Sequence, residues 1–179
     1  MVWVNVNDID DWESLFDEFP EYSKVPIPGN VETSFNGASR YRKGAIGELW
    51  VIKYYFKQRD YFNINNYSPI KESKAFKQRQ ENEIKINGFD IEIKRKTFLT
   101  NDGILFVDKN HGLHRDLYVF LYLPRTKKIE PKILGYATRD EILLCDYDEK
   151  LRVYKVPISK LHSMEDFDSI IRKRFFRNN

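Results

Sequence analysis

A lone cysteine, Cys145, leaves no partner for a disulfide within the chain. Its place in the apolar run Ile142 to Cys145 predicts a buried, reduced thiol of the kind a cytoplasm maintains. With no second cysteine, a paired-cysteine zinc site is excluded. Neither a P-loop nor a G-x-G-x-x-G fingerprint occurs, so helicase, kinase and dinucleotide-enzyme readings lack support. The opening MVWVNVNDID has no basic flank and no sustained apolar core. Nowhere do ~18 apolar residues run together. The expectation is a protein that is neither secreted nor membrane-spanning. There is no internal repeat and no low-complexity tract.

What is present suits one globular domain. Hydrophobic residues make up 41% of the 179 positions, charged residues 32% and aromatics 15%, enough for a core that buries about two thirds of the unfolded surface. The net charge of +3 hides an asymmetry. Residues 1–35 hold eight acids and one base, a balance of −7, which leaves +10 for the remainder. A body that basic favours a polyanionic partner, although a solvated lysine-rich surface fits the same count.

Pro26, Pro28, Gly29 and Gly37 separate the acidic start from the first strong helix. Residues 1–36 are therefore expected to form an arm or accessory helix (Asp10 to Phe19), and residues 37–179 the body. From Arg40 to Asp60 the residues Ala45, Leu49, Ile52 and Phe56 recur at helical spacing as an apolar stripe. Strands are expected over Tyr61–Tyr67, Ile104–Val107, Leu117–Leu123, Ile133–Ala137 and Leu151–Val156. Thr138 with Glu141 forms a capping box that starts a short helix, and Ser163 caps a last helix directing Phe167, Ile170, Ile171 and Phe175 inward. The class is mixed α/β.

The most informative segment is Glu81 to Lys96. Asn87-Gly88 between two alternating runs signals a type I′ hairpin, which needs positive φ at both turn residues. The register follows: Ile86 opposite Phe89, Lys85 opposite Asp90, Ile84 opposite Ile91 and Glu83 opposite Glu92. One face carries Ile84, Ile86, Phe89, Ile91 and Ile93 and belongs to the core. The other carries Glu81, Glu83, Lys85, Asp90, Glu92, Lys94 and Lys96. Three carboxylates on one patch repel unless a cation sits among them. Mg²⁺ (or Mn²⁺) held by one or two carboxylates and bridging to phosphate oxygens fits that need, with Lys94 placed to orient water. The same residues also fit a solvated sheet face on which Lys85–Asp90 and Glu81–Lys94 are cross-strand ion pairs. Glu48, which falls inside the stripe of the first helix, favours the site, since an acid there is costly unless paired or bound to metal.

Gly44-Ala45-Ile46-Gly47-Glu48 on an early helix, followed by a hairpin ending in Glu92-Ile93-Lys94, resembles the PD-(D/E)xK nuclease superfamily, the restriction-endonuclease-like fold. Small phage and mobile-element members are similar also in Leu117 to Leu123, preceded by Asp116, in Leu134 to Arg139 and in Tyr154 to Leu161. The resemblance implies a central mixed sheet flanked by helices, Mg²⁺-dependent hydrolysis of DNA, a cytoplasmic setting in a prokaryotic cell or virus-infected host, and a homodimer that cuts two strands. Carried over by position, Glu48 is the helix acid, Glu92 and Lys94 are the E-x-K pair, and either Glu83 or Asp90 is the remaining ligand. Between Lys96 and Asp116 the chain shows no convincing long helix where the family core has its second one. Lys71, Lys74, Lys77, Arg79, Arg95 and Lys96 flank the proposed site and are candidate phosphate contacts. His111 and His114, near Asp116, are weaker candidates for a metal or a general base. A protein that retains the fold but only binds nucleic acid or a partner is the alternative reading.

Overall fold

A computed structural model describes residues 11–18, 46–62, 64–65, 84–99, 101–109 and 113–178. A 3-10 turn, Asp11–Ser14, leads into a one-turn helix α1, Leu15–Glu18. Trp12 and Leu15 are buried in the main core, and the Trp12 indole donates to the Pro124 carbonyl oxygen at 2.8 Å. This part of the acidic segment is thus docked on the body. Residues 46–54 form α2, with Ile46, Leu49, Val51 and Ile52 buried. The helix ends earlier than its periodicity predicts, tightening into a 3-10 turn at Phe56–Gln58. There Arg59 folds back, donating to the Tyr55 carbonyl oxygen at 2.9 Å and lying over the Tyr55 ring.

Two strands follow, β1 (Ile64–Asn65) and β2 (Ile84–Ile86), then β3 (Phe89–Lys96), β4 (Ile104–Asp108), β5 (Leu117–Tyr122) and β6 (Lys132–Thr138). The short helix α3 (Arg139–Leu143) begins at the expected capping box, with Thr138 and Glu141 bonded reciprocally. A hairpin of β7 (Asp146–Asp148) and β8 (Val153–Pro157) precedes the last helix α4, Met164–Asn178. Ser163 accepts from the Asp166 amide at 3.1 Å, as the N-cap reading requires.

The five strands of one sheet run β1-β2-β3-β5-β6 and those of the other β4-β8-β7. The protein is therefore mixed α/β, with α1, α2 and α4 on one side of the larger sheet and the smaller sheet with the short α3 on the other. Alternation sorts its residues. Ile91, Ile93, Leu117, Val119, Leu121 and Tyr136 face a core closed by α1, α2 and α4. Tyr118, Phe120 and Ala137 point the other way, into a second core shared with Leu105, Val107, Tyr154 and Val156 of the smaller sheet and Ile142 of α3. Helix α3 is so short that Ile142 alone reaches this core. Leu143 and Leu144 are exposed and Cys145 is half-buried, not buried as expected. Burial nonetheless pushes the Cys145 thiol's pKa up. Strand β7 was not expected, being short and polar, and β8 starts at Val153 because Leu151 and Arg152 form the turn, with Arg152 at φ 56°.

The hairpin has the expected register, Ile84 to Ile91, Lys85 to Asp90 and Ile86 to Phe89, with Asn87 at φ 50° and Gly88 at φ 82°. Asn87 does more than turn the chain. Its buried amide donates to the carbonyl oxygens of Tyr61 at 3.0 Å and Ile171 at 3.1 Å, tying the hairpin tip to α4. Asn87→Ala should cost about 2 kcal/mol, because a buried and a part-buried acceptor lose this donor and alanine tolerates positive φ poorly. Asn87→Gly, which keeps the turn and loses only the amide, should recover part of this in urea melts. Equal losses for the two variants would assign no cost to the turn conformation.

At the start of α3, Glu141 accepts from the Thr138 amide and hydroxyl, both at 2.8 Å, and meets His162 Nε2 at 2.5 Å. Burial opposes ionisation, but the hydrogen bonds from His162 and Thr138 outweigh it and hold the Glu141 carboxyl below its ordinary pKa. A carboxyl depressed on folding contributes stability above its unfolded pKa and loses it as the pH falls through the folded value. Glu141→Gln should therefore lower Tm at neutral pH and flatten its decline below about pH 4.5. Parallel Tm profiles for the two proteins would show that Glu141 contributes nothing to the acid limb.

Candidate active site

The face of β3 that bears Asp90, Glu92, Lys94 and Lys96 is set by its neighbours. Strand β3 pairs in parallel with β5, placing Glu92 beside Tyr118 and Lys94 beside Phe120. The four polar residues therefore share the side of the sheet that the smaller sheet partly covers. Lys96 reaches furthest beneath that cover, where its ammonium donates to the Phe106 carbonyl oxygen at 2.8 Å. Burial, and then the charge of Lys94, lower its pKa.

Lys94 Nζ lies 2.6 Å from Glu92 Oε1 and 5.9 Å from the centre of the Tyr118 ring. Arg115 Nε stands 3.9 Å from the other Glu92 oxygen, with its side chain only 11% exposed. Desolvation lowers the guanidinium's pKa, opposed by the charges of Tyr118 and Asp116. Burial raises the Tyr118 phenol, and the Glu92 charge adds to the rise. Asp90 lies 3.1 Å from Lys85 Nζ through Oδ1, yet that oxygen is buried and makes no hydrogen bond. The contact is close but out of line. Asp116 fixes the strand's start: its carboxylate accepts from the Asp90 amide, its amide donates to the Asp90 carbonyl oxygen, both at 3.0 Å, and its own carbonyl accepts from the Arg139 amide at 3.1 Å.

The structure thus brings Asp90, Glu92 and Lys94 onto one face and adds Arg115 and Tyr118. Those two follow from the parallel pairing of β3 with β5, which has no local signature. Glu48 is half-buried, on the arc of α2 between the buried Val51 and Ile52. Helix α2 packs against the opposite side of β3, where a Cβ on Gly47 would meet Arg95 Cβ at 3.0 Å. Gly47 thus permits the close approach of helix and strand, and Arg95 faces α2, away from Glu92. Among the described residues no three Asp, Glu, His or Cys side chains gather into a group that could hold a metal ion. Glu83, Lys71, Lys74, Lys77, Arg79 and His111 lie outside the described residues; His114 is exposed.

Two carboxylates at i and i+2 still suit Mg²⁺, which takes one or two protein carboxylates and keeps several waters. Asp90 Oδ1 is buried and already meets one cation, the Lys85 ammonium at 3.1 Å.

Comparison with protein-family models, with curated proteins and with solved structures finds no match. No helix among the described residues is long and apolar enough to cross a membrane.

Proposed function

We propose that this protein is a metal-dependent deoxyribonuclease of the PD-(D/E)xK kind, hydrolysing DNA phosphodiester bonds at the Asp90–Glu92–Lys94 face of β3. The observation that carries the reading is the Glu92–Lys94 pair, 2.6 Å apart on a partly exposed face that also bears Asp90. Asp90 and Glu92 would hold Mg²⁺ or Mn²⁺, with Glu83 and Glu48 completing the set in the family pattern. Such an ion, when bound, neutralises charge on the scissile phosphate and acidifies a coordinated water. Lys94 would orient the attacking water, and Arg115 would offset charge that develops on the phosphate. The order α2, then antiparallel β1, β2 and β3, then β5 parallel to β3, supports the family core. Its departure is the crossover, where β4 occupies the stretch in which the family has a helix. Cytoplasmic action and a homodimer for double-strand cuts belong to the same reading.

One observation favours the alternative, a nucleic-acid-binding protein without hydrolysis. Lys85 and Lys94 already face Asp90 and Glu92, balancing their charge without an ion. Supercoiled plasmid separates the two. With Mg²⁺ or Mn²⁺ the protein should yield nicked or linear product, and none with a chelator. Binding without cutting, across both metals and across single-stranded, duplex and branched DNA, would favour the alternative.

A further inference from the structure

The second half of α4 carries Arg172, Lys173, Arg174 and Arg177, all exposed, whereas the helix's acids Glu165, Asp166 and Asp168 stand in its first five residues. None of the four cations makes an ion pair among the described residues. Two are held by rings instead: the Arg174 guanidinium lies 4.2 Å from the centre of Phe89, and that of Arg172 lies 5.5 Å from Tyr61 and 5.9 Å from Phe176. Arg59, by contrast, meets Asp168 on the same helix at 2.8 Å. A ring orients a guanidinium but leaves its N–H fork for another acceptor. The helix dipole accommodates cations in the last turn, yet Lys173 and Arg177 are like charges at i and i+4 and repel. A polyanion offsets that repulsion.

We propose that the exposed second half of α4 is a nucleic-acid surface, where Arg172, Lys173, Arg174 and Arg177, spread around the solvent side of the helix, contact backbone phosphates. Its position argues for a nucleic acid over another polyanion. Arg174 packs over the β2–β3 turn, its Nε 3.6 Å from where a Gly88 Cβ would stand. Phe89, beneath that guanidinium, is followed directly by Asp90, whose side chain points to the opposite face of β3. A phosphate chain crossing the hairpin tip would touch α4 on one side and the Asp90–Lys94 face on the other. The surface does not require hydrolysis, and a purely binding protein would use it equally.

Anisotropy of a labelled duplex oligonucleotide, titrated with protein over a range of salt, tests this. The variant R172Q/K173Q/R174Q/R177Q should reduce the slope of log K against log salt by about 3 to 4, and lower affinity near ~0.1 M salt by about 100-fold or more. R172K/R174K/R177K should keep most of the slope, and K128Q/K132Q/K150Q, which neutralises exposed lysines on other elements, should keep wild-type affinity to within a few-fold. All variants should melt within a few degrees of wild type. Four possible results would each overturn the proposal. They are unchanged binding by the glutamine variant, an equal loss in the control triple variant, loss in the lysine variant as large as in the glutamine variant, and wild-type protein that binds anionic vesicles but no oligonucleotide. A wild type that binds through α4 and never cuts would sink the hydrolytic reading and leave this surface standing.

Discussion

Gly135→Ala should destabilise the fold by about 4 kcal/mol, lowering Tm by roughly 10 to 15 °C for a chain of this size. Gly135 sits in β6 at φ 137°, a conformation that an L side chain rarely adopts, opposite the register shift between Phe120 and Leu121. The steric term is larger still. A Cβ there would stand 2.4 Å from the His162 carbonyl oxygen and 3.0 Å from Leu161 Cβ. His162 cannot retreat cheaply, because its oxygen accepts from the Tyr136 amide at 3.1 Å and its amide donates to Tyr136 at 2.9 Å. Moving that segment would also shift the start of α4, whose Phe167 and Ile171 are fully buried in the main core. Chemical denaturation gives the number directly. A Tm within about 2 °C of wild type would show that the strap across β6 is not held as described.

On the proposed hydrolytic reading, Lys94→Ala should lower DNA cleavage by about 10² to 10³-fold, the effect of removing one preorganised charged group from a phosphoryl-transfer site, or ~3 to 4 kcal/mol of transition-state stabilisation. Its effect on stability should be far smaller. The Lys94–Glu92 pair is partly exposed, at 23% and 32%, and such pairs contribute about 1 kcal/mol or less. Glu92 keeps Arg115 nearby and reaches solvent, so no buried charge is stranded. The large loss of cutting with nearly unchanged melting separates a catalytic lysine from a structural one. A variant that melts many degrees lower would assign Lys94 to the fold.

Local chemistry was the legible part of this chain. Asn87-Gly88 specified the turn, the turn specified the register, and the register put Asp90, Glu92 and Lys94 on one face before any tertiary contact was considered. Thr138 and Glu141 marked the start of α3 in the same way. What could not be read was which surfaces meet. A helical wheel puts Glu48 inside the apolar stripe of α2 but does not say against which side of β3 that stripe packs. The stripe packs on the Ile91 and Ile93 side, the side of β3 away from Glu92. Parallel pairing of β3 with β5 joins segments separated by a crossover through another sheet, and nothing in Leu117 to Tyr122 marks its partner. Glycine within Lys132 to Thr138 signals a close approach, but the approaching atom belongs to His162, 27 positions later.

The central claim is that Lys94 acts in hydrolysis on the Asp90–Glu92 face, and its most direct test measures cutting and binding on one preparation. Wild-type protein and Lys94→Ala, each with plasmid and Mg²⁺ or Mn²⁺, should bind DNA with affinities within a few-fold of one another, and only the wild type should convert supercoiled DNA to nicked or linear forms. Equal cutting by both proteins, or a wild type that binds and never cuts, would contradict it.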